Sequence, residues 1–155
     1  MPLSKQSIRD DLTAAMKARD AALTGTLRML LAAVGNAEVA GKEHVELSAD
    51  KIVALVRAET KKRNESATIY EDAGRAELAA QERSEAAILA RYLPAEMSDE
   101  DLGAIVAAAV TTAAAAGQAG PGAMGTVMKA VREKVGSGAD GGRVSAAVKA
   151  ALAAA

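Results

Sequence analysis

Residues 88–102 read Ile88-Leu89-Ala90-Arg91-Tyr92-Leu93-Pro94-Ala95-Glu96-Met97-Ser98-Asp99-Glu100-Asp101-Leu102. This stretch decides the fold, because it closes one helical region and opens another. On its upstream side Ile88, Leu89 and Tyr92 carry the apolar stripe of a helix. Pro94 has no amide hydrogen to donate and pushes Leu93 out of the helical region, so the helix ends at about Tyr92. On its downstream side Ser98-Asp99-Glu100-Asp101 is a start signal of the capping-box type, with acids at the positive end of the coming helix dipole. The spacing predicts an N-terminal lobe over 1–92 and a C-terminal lobe over 93–155.

Outward from this boundary the apolar residues repeat at helical spacing. On the N-terminal side four helices are expected. The first, from about Ser4 to Arg19, turns Ile8, Leu12, Ala15 and Met16 inward. The second starts at Asp20, an N-cap residue type, and carries Leu23, Leu27, Leu30, Val34 and Ala37 before fading at Gly41. After a polar loop, Ser48 caps a third helix with Ile52, Leu55 and Val56 inward, running to about Asp72. Ala73-Gly74-Arg75 reads as a tight turn, since glycine accepts the left-handed conformation that ends a helix. The fourth helix turns Leu78, Ile88, Leu89 and Tyr92 inward.

The C-terminal side predicts three more helices. One holds Leu102, Ile105, Val106, Ala109 and Val110; a linker follows at Gly117 to Gly122. The next holds Met124, Val127, Met128, Val131 and Val135; the last holds Val144, Val148 and Leu152. Nowhere do β-branched residues alternate as a strand requires. The expected fold is all-α, a four-helix N-terminal lobe followed by a small three-helix C-terminal lobe.

Composition narrows the chemistry. The 155 residues contain no Cys, Phe or Trp and only two Tyr, so the core must be built from Leu, Ile, Val, Met and Ala. The lack of Cys excludes disulfides, thiolate catalysis and Cys-ligated metals. No signal-peptide pattern and no bilayer-spanning run is read, which places the protein in the cytoplasm with no membrane partner. The formal net charge of −1 offers no global field to a polyanion. No phosphate loop, dinucleotide fingerprint or nucleophilic triad is present, so no catalytic residue, metal ligand or cofactor is assigned. The one histidine, His44, reads as a solvated loop residue.

Two groups of charges stand out. On the third and fourth helices, Glu59, Arg63, Glu82 and Glu85 fall on the apolar side. One reading is a structural ion network in which Arg63 bridges Glu59 to Glu82 or Glu85; the other is a carboxylate cluster for metal, which in helical bundles wants Glu-x-x-His pairs. Arg57, Lys61 and Lys62 point away from that side, as a solvated surface or a basic contact. Residues 124–155 carry Lys129, Arg132, Lys134, Arg143 and Lys149 against Glu133 and Asp140. They flank Gly136-Ser137-Gly138-Ala139-Asp140-Gly141-Gly142, a turn that opens onto a helix N-terminus, where free amides and the dipole suit a phosphate. An ordinary helix–turn–helix gives the same pattern.

In order along nearly the whole chain, several stretches resemble the YqeY-like proteins of the GatB/YqeY domain family. They are Leu27-Arg28-Met29-Leu30, Lys61-Lys62-Arg63-Asn64-Glu65-Ser66, Tyr70 through Ala73-Gly74-Arg75, Glu82 to Glu85 and Tyr92-Leu93-Pro94. Met97-Ser98, Met124-Gly125-Thr126-Val127-Met128-Lys129 and Ala139-Asp140-Gly141 complete the set. The resemblance implies an all-helical protein similar to the tail of the B subunit of the tRNA-dependent amidotransferase, where the tail helps hold tRNA and other domains do the chemistry. Related domains are fused to glutaminyl-tRNA synthetase. Members carry, by analogy, the label of carbon–nitrogen ligases with glutamine as amide donor. The resemblance thus implies a non-catalytic tRNA-binding accessory, with an aminoacyl-tRNA synthetase or amidotransferase as partner. A protein-interaction module that docks on such an enzyme is the alternative. The tRNA contacts would be Lys129, Arg132, Lys134, Arg143 and Lys149, with Arg57, Lys61 and Lys62 as a second group. The sequence departs from the family at the last turn. Gly138 and Gly142 stand where basic residues are usual, Arg143 comes one place later, and Ser145 replaces a common asparagine, which implies fewer phosphate contacts.

Overall fold

Short polar side chains set the helix starts. The computed structural model describes residues 2–155. The element order is α1 (Lys5–Lys17), α2 (Ala21–Glu38), α3 (Ala49–Asp72), α4 (Ala76–Ala90), α5 (Asp99–Ala115), a 3₁₀ turn (Gly120–Ala123), α6 (Met124–Val135) and α7 (Gly141–Ala154). Among the described residues there is no strand, and the fold is all-α. The hydroxyl of Ser4 accepts from the Ser7 amide while the Ser7 hydroxyl accepts from the Ser4 amide, a reciprocal box that opens α1. Asp20, Ser48, Ser98 and Asp140 accept from the amides of Leu23, Lys51, Asp101 and Arg143. Each such cap stabilises its helix by about 1 kcal/mol. Ser98 makes only the forward bond, so the expected box there is a single cap. No side chain caps α4, which starts directly off the Gly74 turn (φ 73°). The expected 117–122 linker is partly ordered: it holds the 3₁₀ turn, which buries Ala123 completely.

The chain forms two compact units, Met1–Leu93 and Pro94–Ala155. In the first, Ile8, Leu27, Leu30, Val34, Ile52, Val56 and Leu89 make one apolar cluster. Toward the Gly74 turn, the α3–α4 hairpin buries alanines instead: Ala67 on α3, Ala79 and Ala86 on α4. Side chains of this size let two helix backbones approach closely. On α4 Ile88 and Leu89 are buried as expected, but near the turn Ala79 takes the inward place and Leu78 is left 39% exposed. Met16 is also outside, at 51% exposure, with its sulfur 3.9 Å from Arg28 Nη2. Ala37 is exposed because the stripe of α2 continues through Leu30, Val34 and Glu38.

In the second unit, Leu102 and Val106 of α5, Val127, Val131 and Val135 of α6, and Val144, Val148 and Leu152 of α7 share one core. The segment before α5 is tied to the last turn by the Met97 amide, which donates to the Gly138 carbonyl at 2.7 Å. Among the described residues no single helix is long and apolar enough to cross a membrane.

Candidate nucleic-acid interface

Helix geometry sorts the cations of the second unit. At about 100° per residue, Arg132 and Lys134 stand about 160° apart on α6, on opposite edges of its buried stripe. The Lys134 edge, with Thr126 and Ala130, borders α5 across a cleft of about 350 Å³ walled by Ile105, Ala109 and Ala113. The other edge, with Arg132, therefore borders α7. On α7 the same arithmetic puts Arg143 and Lys149 on opposite edges, about 120° apart. Arg143 reaches the start of α5, so the Lys149 edge borders α6. Arg132 and Lys149 thus lie toward the α6–α7 side, near the half-buried Ser145, while Lys129 stands further round α6 with Glu133 as its neighbour on the exposed face. Counted outward from the turn between the helices, Lys129 and Lys149 stand at similar levels. All three cations are exposed, and none lies within ion-pair distance of a described carboxylate.

Arg143 has a different job from the one the sequence suggested. Its Nη2 donates to Asp99 Oδ1 at 2.8 Å and to the Met97 carbonyl at 2.9 Å, and its Nη1 lies 3.5 Å from Glu96. The hydrogen bond to Asp99 raises the guanidinium above its usual pKa, against desolvation and with help from Glu96 and Asp140. Arg143 joins α7 to the segment before α5 and has little charge left for a ligand. The helix N-terminus is also taken: Asp140 accepts from the Arg143 amide at 3.0 Å and sets a negative charge where a phosphate was expected.

The charged residues of the first unit are largely compensated. Arg63, only 6% exposed, donates from Nη1 to Glu59 at 2.8 Å and from Nε to Glu85 at 3.1 Å. Glu82 is half-buried but lies outside this pair of bonds. Lys61 pairs with Glu65 at 4.0 Å and Lys62 with Glu59 at 3.8 Å, while Arg57 is half-buried. These groups hold the hairpin and its surface together. Among the described residues, no three His, Asp or Glu side chains gather to hold a metal ion.

Sequence reasoning missed Glu38. It is 2% exposed, accepts a hydrogen bond from Lys5 Nζ, and lies 3.4 Å from His44 Nε2. The Lys5 bond holds its carboxyl below the usual glutamate range, against desolvation and with support from the Leu47 amide. Val45 N–H donates to the Glu38 carbonyl at 2.9 Å, so the loop after α2 is fastened through main chain and side chain together. The signal was present: Glu38 continues the Leu30, Val34 spacing by one more helical turn. His44 is mostly exposed, yet it belongs to this cluster.

Residues 5–152 match the family described as Yqey-like protein. The chain belongs to the YqeY-like family. No curated protein matches the sequence. Membership makes the glycines of the last turn informative. A Cβ on Gly138 would meet the Val135 carbonyl oxygen at 3.1 Å and the Met97 terminal methyl at 3.3 Å. One on Gly142 would meet Asp140 Oδ1 at 3.1 Å. In this YqeY-like chain the turn is packed against the Met97 segment and around its own cap.

Proposed function

We propose that this YqeY-like chain is a non-catalytic tRNA-binding accessory protein of tRNA-dependent amidation or aminoacylation, working in the cytoplasm. One observation carries the reading: Lys129, Arg132 and Lys149 are exposed and lie within ion-pair distance of no described carboxylate, on a molecule of formal net charge −1. Unpaired exposed cations are the groups that phosphate binding uses. Arg143 and Asp140 shape the turn between α6 and α7. On this reading the carbon–nitrogen ligase label belongs to the partner enzyme that performs the amide transfer.

The test is binding of the full chain to unmodified tRNA by fluorescence anisotropy at two salt concentrations. Three phosphate contacts predict an affinity loss of about 40-fold for a fourfold rise in salt. Binding that ignores salt, or no binding at low salt, refutes the proposal. The α5–α6 cleft favours a second reading, docking on an aminoacyl-tRNA synthetase or amidotransferase, since its apolar wall suits a protein surface. That reading predicts nuclease-resistant association with the purified enzyme, abolished by Ala109→Arg. A retained complex in that variant speaks against it.

A further inference from the structure

We infer that the α5–α6 cleft binds a small amphipathic monoanion, a carboxylate carried on a slender hydrocarbon body, with Lys134 holding the carboxylate. The inference is independent of the tRNA-binding reading, and it seats a small molecule where the second reading would seat a protein. The cleft exists because of what lines it. The chain bends by 104° between Asp99–Ala115 and Gly120–Val135, so the two helices diverge from their contact. Ala109 and Ala113 on one wall and Thr126 and Ala130 on the other are too small to fill the wedge between diverging axes. About 350 Å³ is left open, at the small end of the range for small-molecule sites. Atoms that line such a gap lack contacts on one side, and an apolar body supplies them.

Shape and charge then select the ligand. Thr126, Ala130 and Lys134 follow one another at four-residue spacing, so the α6 wall extends about 12 Å and carries its cation at one end. A second helix, about 10 Å across, would fill roughly 900 Å³ over that length, whereas a hydrocarbon chain or a single ring fits. From Leu102 to Met128 the chain has no charged residue, which leaves Lys134 as the one charge on the walls. Lys134 is exposed, and no described carboxylate lies within ion-pair distance of it. On the α5 wall the Thr112 hydroxyl donates to the Ala108 carbonyl at 3.0 Å and is spent on its own helix. Gln118 and Thr126 add neutral polar groups and no second charge. A neutral apolar ligand would leave the ammonium unused, and a bare anion would leave the walls uncovered. One anionic head on an apolar body meets both, while a dianion finds no second cation.

The experiment titrates the full chain, labelled with nitrogen-15, with octanoate, octanol and acetate and follows the amide chemical shifts. Octanoate should give saturable shifts centred on Ala109, Ala113, Thr126 and Ala130. Octanol, which has the body without the charge, should bind about fivefold more weakly, the weight of one solvated ion pair. Acetate, which has the charge without the body, should not saturate. Lys134→Gln should erase the preference for octanoate over octanol, Lys134→Arg should keep it, and Lys149→Gln, off the cleft, should change nothing. Ala130→Leu fills the cleft from an exposed helix position and should weaken both ligands about tenfold. Circular dichroism of each variant confirms that the helices persist. Equal affinity of the unaltered chain for octanoate and octanol, shifts scattered away from the cleft, or no saturation by octanoate overturns the inference and leaves the tRNA-binding proposal standing.

Discussion

Arg63 and Arg143 are each set between two carboxylates, in the α3–α4 hairpin and in the last turn respectively. Their hydrogen-bond lengths are nearly the same, and their surroundings are not. Arg63 is buried, and its partners Glu59 and Glu85 keep only about a fifth of their side-chain surface. Arg143 is a quarter exposed and its closest acid, Asp99, is almost wholly in water. Water decides what each pair is worth. Solvent screens the Arg143 pair and supplies either partner with alternatives, while the buried Arg63 has only Glu59 and Glu85, themselves touched by Lys62 and Gln81 at longer range. The number of ion pairs drawn on a structure therefore says little until each is weighted by burial.

The comparison is broken most directly at Arg63. Arg63→Leu leaves two partly buried carboxylates facing an apolar side chain, and the urea midpoint should fall by an amount equivalent to about 3–5 kcal/mol. Adding Glu59→Leu and Glu85→Leu should recover much of the loss, because an apolar trio needs no desolvation. An unchanged midpoint in the single variant would show that the hairpin is held by its alanines alone. The next effect is at Glu38, which resembles Arg63 in burial. Its carboxyl is depressed in the folded protein, so its contribution is present above the ordinary glutamate value of about 4.3 and is lost as pH falls through the lower folded value. Glu38→Gln should be less stable at neutral pH and should lose that acid dependence; parallel acid-unfolding curves for the two proteins would contradict the assignment.

Smaller changes sharpen the other side. Arg143→Gln should cost less than Arg63→Leu, the cost should shrink as salt is added, and the salt slope of RNA binding should stay as it was. A flattened slope would return Arg143 to the ligand-binding set. Arg83→Ala removes the pair with Glu71 at 2.8 Å, both side chains near half exposed, and should leave the urea midpoint within error. A clear loss there would mean that exposure is the wrong weight to apply.

The helices were legible because apolar spacing and cap residues are local. Ser48, Ser98, Gly74 and Pro94 act on their own neighbours, and no distant contact is needed to read them. What escaped depends on partners from elsewhere in the chain. Leu78 has the right spacing to be inside, but near the Gly74 turn the small Ala79 is buried instead. Glu38 looks like a surface acid until Lys5 is seen to reach it. Arg143 looks like a free cation until the segment before α5 brings Asp99 and Glu96 to it. The place of Lys134 beside the α5–α6 cleft was not legible either, since it requires knowing which helix lies on which side of α6.

The interior is packed without a single phenyl or indole ring, and both phenols sit in the first unit. Near-ultraviolet absorbance and intrinsic fluorescence therefore report on residues 1–93 alone. Tyr92, whose hydroxyl donates to Asp11 at 2.6 Å, is the natural probe there. Melting confined to residues 94–155 would be silent in both signals, so α5, α6 and α7 have to be followed by far-ultraviolet circular dichroism, amide exchange or an introduced fluorophore.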